Sequence, residues 1–207
     1  EVMSESVTNP VTFFKGPDYW ELTNYGTNDL PLAGYGFNDF RKTNTVLVQF
    51  PFTDVVIAAG ETIVFFRAKP YGSVLTAVQF REWWGDFNLP PACQILTYDQ
   101  PGLNGSSGDE LWLYDSNTNL VDSVKFGEAR IGRSFVCDPE IGVFGVPSVS
   151  ELHGAFTAAL ASDVGSPGTA PTAIPLRIVE PPSDQTGEAG YEATFTVVAQ
   201  GMPRPKH

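Results

Sequence analysis

The apolar and polar positions along the chain form short strand-like runs separated by turn residues. Residues 46–50 (VLVQF) and 62–66 (TIVFF) are rich in β-branched and aromatic side chains, and residues 58–61 (AAGE) mark a turn between them. We therefore predict two neighbouring strands here. In residues 18–24 (DYWELTN), alternation directs Trp20 and Leu22 toward the interior.

The strongest hairpin pattern lies in the middle of the chain. Residues 110–114 (ELWLY) and 120–126 (LVDSVKF) alternate polar and apolar side chains. Between them, residues 115–119 (DSNTN) are of types that tolerate left-handed turn geometry. This combination predicts two antiparallel strands joined by a tight turn.

One segment departs from the strand pattern and predicts a short helix. Ser73 can cap its start, the helix continues to about Trp84, and Gly85 stops it. The helical spacing directs four side chains toward a core, namely Val74, Ala77, Val78 and Phe80.

The composition changes after Ser166, which divides the chain. Residues 166–175 (SPGTAPTAIP) contain three prolines and no charge, as expected of a stiff, extended linker. We predict a β-sandwich over residues 1–168, a Pro-rich linker over 169–175, and a strand pair over 176–207. The two strands of the pair are expected at 176–179 and 191–199. Because two strands cannot bury a core alone, the pair is interpreted as part of a further domain or as a docking element.

Composition and charge narrow the class of protein. The 207 residues are 42% hydrophobic and 17% charged, and they include 20 glycines and 17 prolines, which favours an all-β fold with a real core. The net charge is −12, of which −11 belongs to residues 1–171. This charge argues against nucleic-acid partners. The sequence contains no run of about 18–20 apolar residues, so membrane insertion is not expected.

The motifs in the first 168 residues follow one another in an order that resembles the lamin-tail domain. They are EVMSES at the start, DYWELTN, LAGYGFND at 32–39, the AAGE region at 57–65, the central hairpin, IGRSF at 131–135 and SPG at 166–168. The resemblance implies an immunoglobulin-like β-sandwich, and the SPG ending is similar to bacterial exported members. From Ile174 the chain resembles the first strands of a bacterial immunoglobulin-like domain, although the usual strand-B cysteine is absent.

Two cysteines, Cys93 and Cys137, leave two alternatives open. In an oxidising compartment they could form a disulfide, which would contribute on the order of 4 kcal/mol through loop closure. They could equally be separate thiols that pack as small hydrophobic side chains.

Two clusters are candidate ligand sites. Asp115, Asn117 and Asn119 have the first spacings of a calcium loop, but Leu120 and Phe126 occupy the positions that require Gly and Glu, so a plain turn is the competing interpretation. Trp83 and Trp84 could stack on sugar rings if exposed, or pack the helix against the sandwich if buried.

The sequence offers little for catalysis. His153 is the one histidine away from the chain end, and no nucleophile or phosphate-binding motif accompanies it. We therefore expect a protein that is not an enzyme and that requires no cofactor, with calcium as the one cation to consider.

These observations predict a non-catalytic, exported structural or adhesive module of an extracellular or cell-surface assembly. Its partner would be a protein, either another copy or the rest of a larger chain, reached by β-strand addition. The expected assembly residues alternate along the last predicted strand: Tyr191, Ala193, Phe195 and Val197. The alternative is a glycan-binding accessory module of a larger exported hydrolase.

Overall fold

The structure, a computed structural model, describes residues 1–12, 14–39, 48–49, 54–69, 74–99, 101–139, 142–169, 174–188 and 190–202. These residues form strands in several sheets and one short helix, which confirms the predicted all-β class. The elements are β1 (Val2–Met3), β2 (Tyr19–Thr23), β3 (Leu30–Pro31), β4 (Gly36–Asn38), β5 (Val48–Gln49), β6 (Val56–Ile57), β7 (Thr62–Arg67), α1 (Ala77–Trp84), β8 (Ile95–Tyr98), β9 (Asp109–Tyr114), β10 (Leu120–Phe126), β11 (Phe135–Asp138), β12 (Val143–Pro147), β13 (Phe156–Thr157), β14 (Val164–Gly165), β15 (Ile174–Glu180) and β16 (Val198–Met202).

Two sheets form a sandwich of the immunoglobulin-like kind. One has six strands in the order β12-β11-β1-β2-β7-β8, and the other has four in the order β10-β9-β4-β5. The strand pairs in both sheets are antiparallel except β7 with β8, which are parallel. The predicted central hairpin is confirmed as β9 and β10, and Thr118 in its turn has a φ of 66°.

The first core lies between the two sheets. Trp20 of β2 stacks on Phe65 of β7 with ring centroids 4.3 Å apart, and Phe37 of β4 meets Trp20 from the opposite sheet at 5.0 Å. Trp20 is therefore the core residue that the alternation in residues 18–24 predicts.

A second core lies on the other face of the six-stranded sheet, beneath the helix. The helix connects the parallel strands β7 and β8, and such a connection must cross one face of the sheet. Phe80, Trp83 and Trp84, spaced as one helical stripe, pack there against Tyr19 and Phe66. This second core explains the continuous apolar run of β7, because both faces of that strand are buried.

The helix begins later than predicted and buries a different stripe. Thr76 is the N-cap and forms a capping box with Gln79, and Gly85 ends the helix as predicted. The predicted cap, Ser73, lies outside the described residues. Val74 and Val78 are exposed, so their assignment to a core is wrong, whereas Phe80 is buried as predicted and Ala77 is half-buried.

The prediction that residues 46–50 and 62–66 form neighbouring strands is also wrong. Of the first segment the structure describes β5 alone, which pairs with β4 in the four-stranded sheet. The second segment is β7, which lies between β2 and β8 in the other sheet. The turn at 58–61 is confirmed, with Gly60 at a φ of 79°, but it joins β7 to β6, and β6 pairs with β3.

The predicted C-terminal strand pair is present as β15 and β16, a two-stranded sheet of its own. Its first strand begins at Ile174, inside the segment predicted to be a linker. Its second strand begins at Val198, so the strand predicted over 191–199 is placed too early. The pair approaches the rest of the chain next to Gly142, just before β12. A Cβ atom added to Gly142 would lie 3.6 Å from the carbonyl oxygen of Gly201 in β16. The division at residues 168 and 176 stays a prediction.

Candidate interaction sites

Residues 191–197, which we call the tail segment, carry apolar side chains in solvent. Tyr191 is 78% exposed, Phe195 61% and Val197 40%. Ala193 between them is exposed as well. All four predicted assembly residues are therefore accessible, but they precede β16 and do not lie on a strand.

The tail segment is not a strand because β15, its potential partner in the pair, ends too early. Pro181 and Pro182 follow Glu180 directly, and proline has no backbone N–H to donate to a ladder. The ladder of the pair therefore stops at Glu180 opposite Val198. The tail segment, which comes just before Val198, faces no further strand among the described residues.

A cavity of about 240 Å³ lies next to the start of β1, and we call it the strand slot. Its walls include Leu22 and Thr23 from β2 together with Cys137 and Asp138 from β11. Strand β10 and the loop after β12 also contribute side chains, among them Val124 and Leu152 from these two elements. Sequence reasoning missed this site, because β2 and β11 are far apart in the chain and only the paired sheet brings them together.

Two carboxyl groups sit at the floor of the strand slot. The backbone N–H of Ser166 donates to Glu1 at 2.9 Å, and the hydroxyl of Tyr19 also donates to this carboxylate. The N–H of Gly168 donates to Glu21 at 2.5 Å. Burial, and then the nearby Glu1 carboxylate, raise the pKa of Glu21 well above its ordinary value. A protonated Glu21 can donate a hydrogen bond as well as accept one.

The interpretation of Trp83 and Trp84 as sugar-stacking rings is wrong. Trp83 is 3% exposed and its indole N–H donates to Asp163 at 2.9 Å, while Trp84 is fully buried beside Tyr19. Both rings pack the helix onto the six-stranded sheet, so neither has a face to offer a ligand. Tyr98 on the neighbouring strand β8 is buried too. The glycan-binding alternative thus loses the residues that motivated it.

Asp115, Asn117 and Asn119 build the turn between β9 and β10. The Asp115 carboxylate accepts the N–H groups of Asn117 at 2.9 Å and Asn119 at 2.8 Å, and it also accepts the side-chain amide of Asn119 at 3.0 Å. These bonds, led by the side chain of Asn119, lower the pKa of Asp115. The turn interpretation is confirmed. In the described part of the chain, no three His, Cys, Asp or Glu side chains are grouped closely enough to hold a metal ion.

No disulfide joins Cys93 to Cys137 in the structure, which agrees with the second of the two alternatives. Cys93 is buried in the second core, and burial raises the pKa of its thiol to about 12. Cys137 is half-buried on β11 and lines the strand slot. The two thiols therefore differ strongly in access to reagents.

His153 lies on an exposed turn after β12, with a φ of 52°, and lines the mouth of the strand slot. The expectation that the protein is not an enzyme stays a prediction. Within the described ranges, no helix is both long enough and apolar enough to cross a membrane.

Comparison of the sequence with protein-family models and with curated proteins gives no match.

Proposed function

We propose that this protein is a non-catalytic structural or adhesive module of an extracellular or cell-surface assembly, and that copies join by β-strand addition through the tail segment. The extracellular location follows the resemblance to exported lamin-tail proteins. The bacterial source is part of the same proposal.

The observation that carries the proposal is the exposure of the tail segment. Large apolar side chains that recur within one short stretch and are open to solvent mark interaction sites in folded proteins. Tyr191 and Phe195 are the largest of them, and aromatic residues supply most of the binding energy at protein interfaces.

Charge favours contact through this part of the molecule. Residues 1–171 carry a net charge of −11, so the sandwiches of two copies repel each other. The rest of the chain has a net charge of only −1. A tail segment reaching from one copy to the other supplies main-chain hydrogen bonds, which do not depend on charge.

We expect the double variant Tyr191→Asp, Phe195→Asp to dissociate at concentrations where the wild type is assembled. Replacing two aromatic side chains that become buried on assembly with carboxylates should raise the dissociation constant by about thirtyfold or more, since loss of one interface aromatic alone costs ~2 kcal/mol. Multi-angle light scattering across a concentration series measures this change.

The matched control is Val11→Asp, Leu160→Asp, which places the same two charges on exposed apolar positions of the sandwich. It should assemble like the wild type. If the tail variant and the control give the same mass at every concentration, or if the wild type stays monomeric throughout, the proposed function is wrong.

A further inference from the structure

Asparagine side chains close several tight turns in the described part of the chain. The side-chain oxygen of Asn9 accepts the N–H groups of Val11 at 2.8 Å and Thr12 at 2.9 Å, and that of Asn24 accepts the N–H of Gly26 at 2.9 Å. Such a turn holds the side-chain amide beside the backbone nitrogen of the next residue. That nitrogen is the atom that can attack the amide carbon and close a five-membered ring, and holding the two groups together favours the reaction.

Asn104 closes a turn of the same kind in the exposed loop before β9. Its side-chain oxygen accepts three hydrogen bonds, from the N–H of Ser106 at 2.9 Å, from the hydroxyl of Ser106 at 3.0 Å and from the N–H of Ser107 at 3.3 Å. Its own N–H donates to Asp109 at 2.7 Å, which fixes the backbone as well. Donors placed on a carbonyl oxygen stabilise the negative charge that an attacking nitrogen creates there.

The residue after each asparagine decides whether the attack can take place. Pro10 follows Asn9, and its nitrogen has no proton to lose. Tyr25 follows Asn24, which is buried. The side-chain NH₂ of Asn24, the group that must leave, is held by two backbone carbonyls at 2.8 and 3.0 Å.

Gly105 follows Asn104, and this is the only Asn-Gly step in the sequence. Because glycine has no side chain, the approach to the amide carbon is open. Among the described residues, the N–H of Gly105 has no hydrogen-bond partner, and the side-chain NH₂ of Asn104 has none either. The attacking group and the leaving group are thus both free, while the carbonyl between them is held.

We infer that Asn104 is a site of spontaneous modification, at which the folded chain converts this asparagine into aspartate and isoaspartate. The Gly105 nitrogen loses its proton to hydroxide and bonds to the amide carbon of Asn104. The bond from that carbon to the side-chain nitrogen breaks, and the nitrogen takes a proton from water and leaves as ammonia. Water then opens the cyclic imide at one of its two carbonyl carbons, which gives aspartate at one and isoaspartate at the other.

The modification falls where the loop packs closely on the sandwich. A Cβ atom on Gly105 would lie 2.7 Å from the Glu5 carboxylate and 3.2 Å from the Ser4 carbonyl oxygen. The carbonyl of Gly105 accepts the N–H of Ala129 at 2.8 Å. Isoaspartate adds one carbon to the backbone, which this close fit does not accommodate. We therefore expect the converted chain to unfold at a lower temperature than the unconverted one.

Incubation of the full chain in water enriched in heavy oxygen, followed by peptide mapping with mass spectrometry, tests the inference. Each conversion takes its new oxygen atom from the solvent. We expect heavy oxygen to accumulate at Asn104, faster at alkaline than at neutral pH because hydroxide removes the Gly105 proton. Asn9 and Asn24 should stay intact.

The variant Ser106→Ala tests the part played by the turn. It removes the hydroxyl donor to Asn104 and should slow the reaction about fivefold, the factor that one hydrogen bond of ordinary strength is worth. The matched control is Ser107→Ala, which leaves all three donors in place, since Ser107 contributes only its backbone N–H. It should react like the wild type.

Heavy oxygen that is absent from Asn104, or that accumulates there no faster than at the exposed Asn117, would overturn the site. Equal rates in the wild type, Ser106→Ala and Ser107→Ala would overturn the turn as its cause. Converted chains, separated by ion exchange, should have a lower thermal midpoint, and equal midpoints would overturn the effect on packing. None of these measurements requires the chain to assemble, so their outcome is independent of the proposed function.

Discussion

Replacing Trp84 with alanine is expected to destabilise the fold by about 3–5 kcal/mol, the usual cost of removing a large aromatic side chain from a core. Trp84 is fully buried, and its ring meets Tyr19, Phe80 and Phe156 at centroid distances of 5.6 to 6.4 Å. Its indole N–H has no hydrogen-bond partner among the described residues, so the loss is one of packing. Thermal unfolding should show a lower midpoint by roughly 6–20 °C for a chain of this length.

The matched control is Phe87→Ala, three residues further along. Phe87 is a large aromatic side chain that is fully exposed, so its removal should leave the midpoint nearly unchanged. Equal effects of the two substitutions would contradict the assignment of the helix to a second core. The comparison also separates a structural tryptophan from a ligand-binding one.

The second large effect is expected in the pH dependence of stability. Asp18 is buried at the start of β2, and burial raises the pKa of its carboxyl to about 7, although Arg67 lies 3.9 Å away and lowers it. Between pH 4 and pH 7 the folded state therefore holds a proton on Asp18 that the unfolded state has released. The contribution of this group is fully present below about pH 4 and is lost as the pH rises through 7.

The variant Asp18→Asn should remove this dependence. A shift from 3.8 to about 7 corresponds to about 4 kcal/mol, so the wild type should lose roughly that much stability relative to the variant between pH 4 and pH 8. Denaturant unfolding of both proteins at a series of pH values gives the difference, in which the other carboxyl groups cancel.

Asp115→Asn is the control, because the contribution of Asp115 to stability should change with pH in the opposite direction. Asn119 lowers the pKa of the exposed Asp115, so its small contribution is present at higher pH and lost as the pH falls. A difference curve for Asp18→Asn that is flat from pH 4 to pH 8 would show that this carboxyl is ionised in the folded protein throughout.

Local pattern was enough to predict the elements that are built from neighbouring residues. The hairpin of β9 and β10, the inward direction of Trp20 and the helix stop at Gly85 all depend on sequence periods and turn residues within a few positions. The expectation of a β-sandwich came from the resemblance to the lamin-tail domain, which the order of the motifs suggests.

Long-range pairing accounts for what the sequence could not predict. The β7 run is apolar because a helix covers one face and a second sheet the other, and local pattern cannot distinguish this from pairing with residues 46–50. Packing of the same helix against the sheet buries Trp83 and Trp84 in the second core. The strand slot is lined by β2 and β11, which come from distant parts of the chain, so no local signal marks it.

The central claim is that the tail segment becomes a strand when copies meet, and backbone hydrogen exchange of the full chain tests it most directly. In dilute solution the amides of residues 192–197 should exchange at the rate of an exposed loop. At concentrations where the chain assembles, we expect alternate amides of this segment to become protected. Assembly that leaves these amides as fast as in the dilute sample would contradict the account.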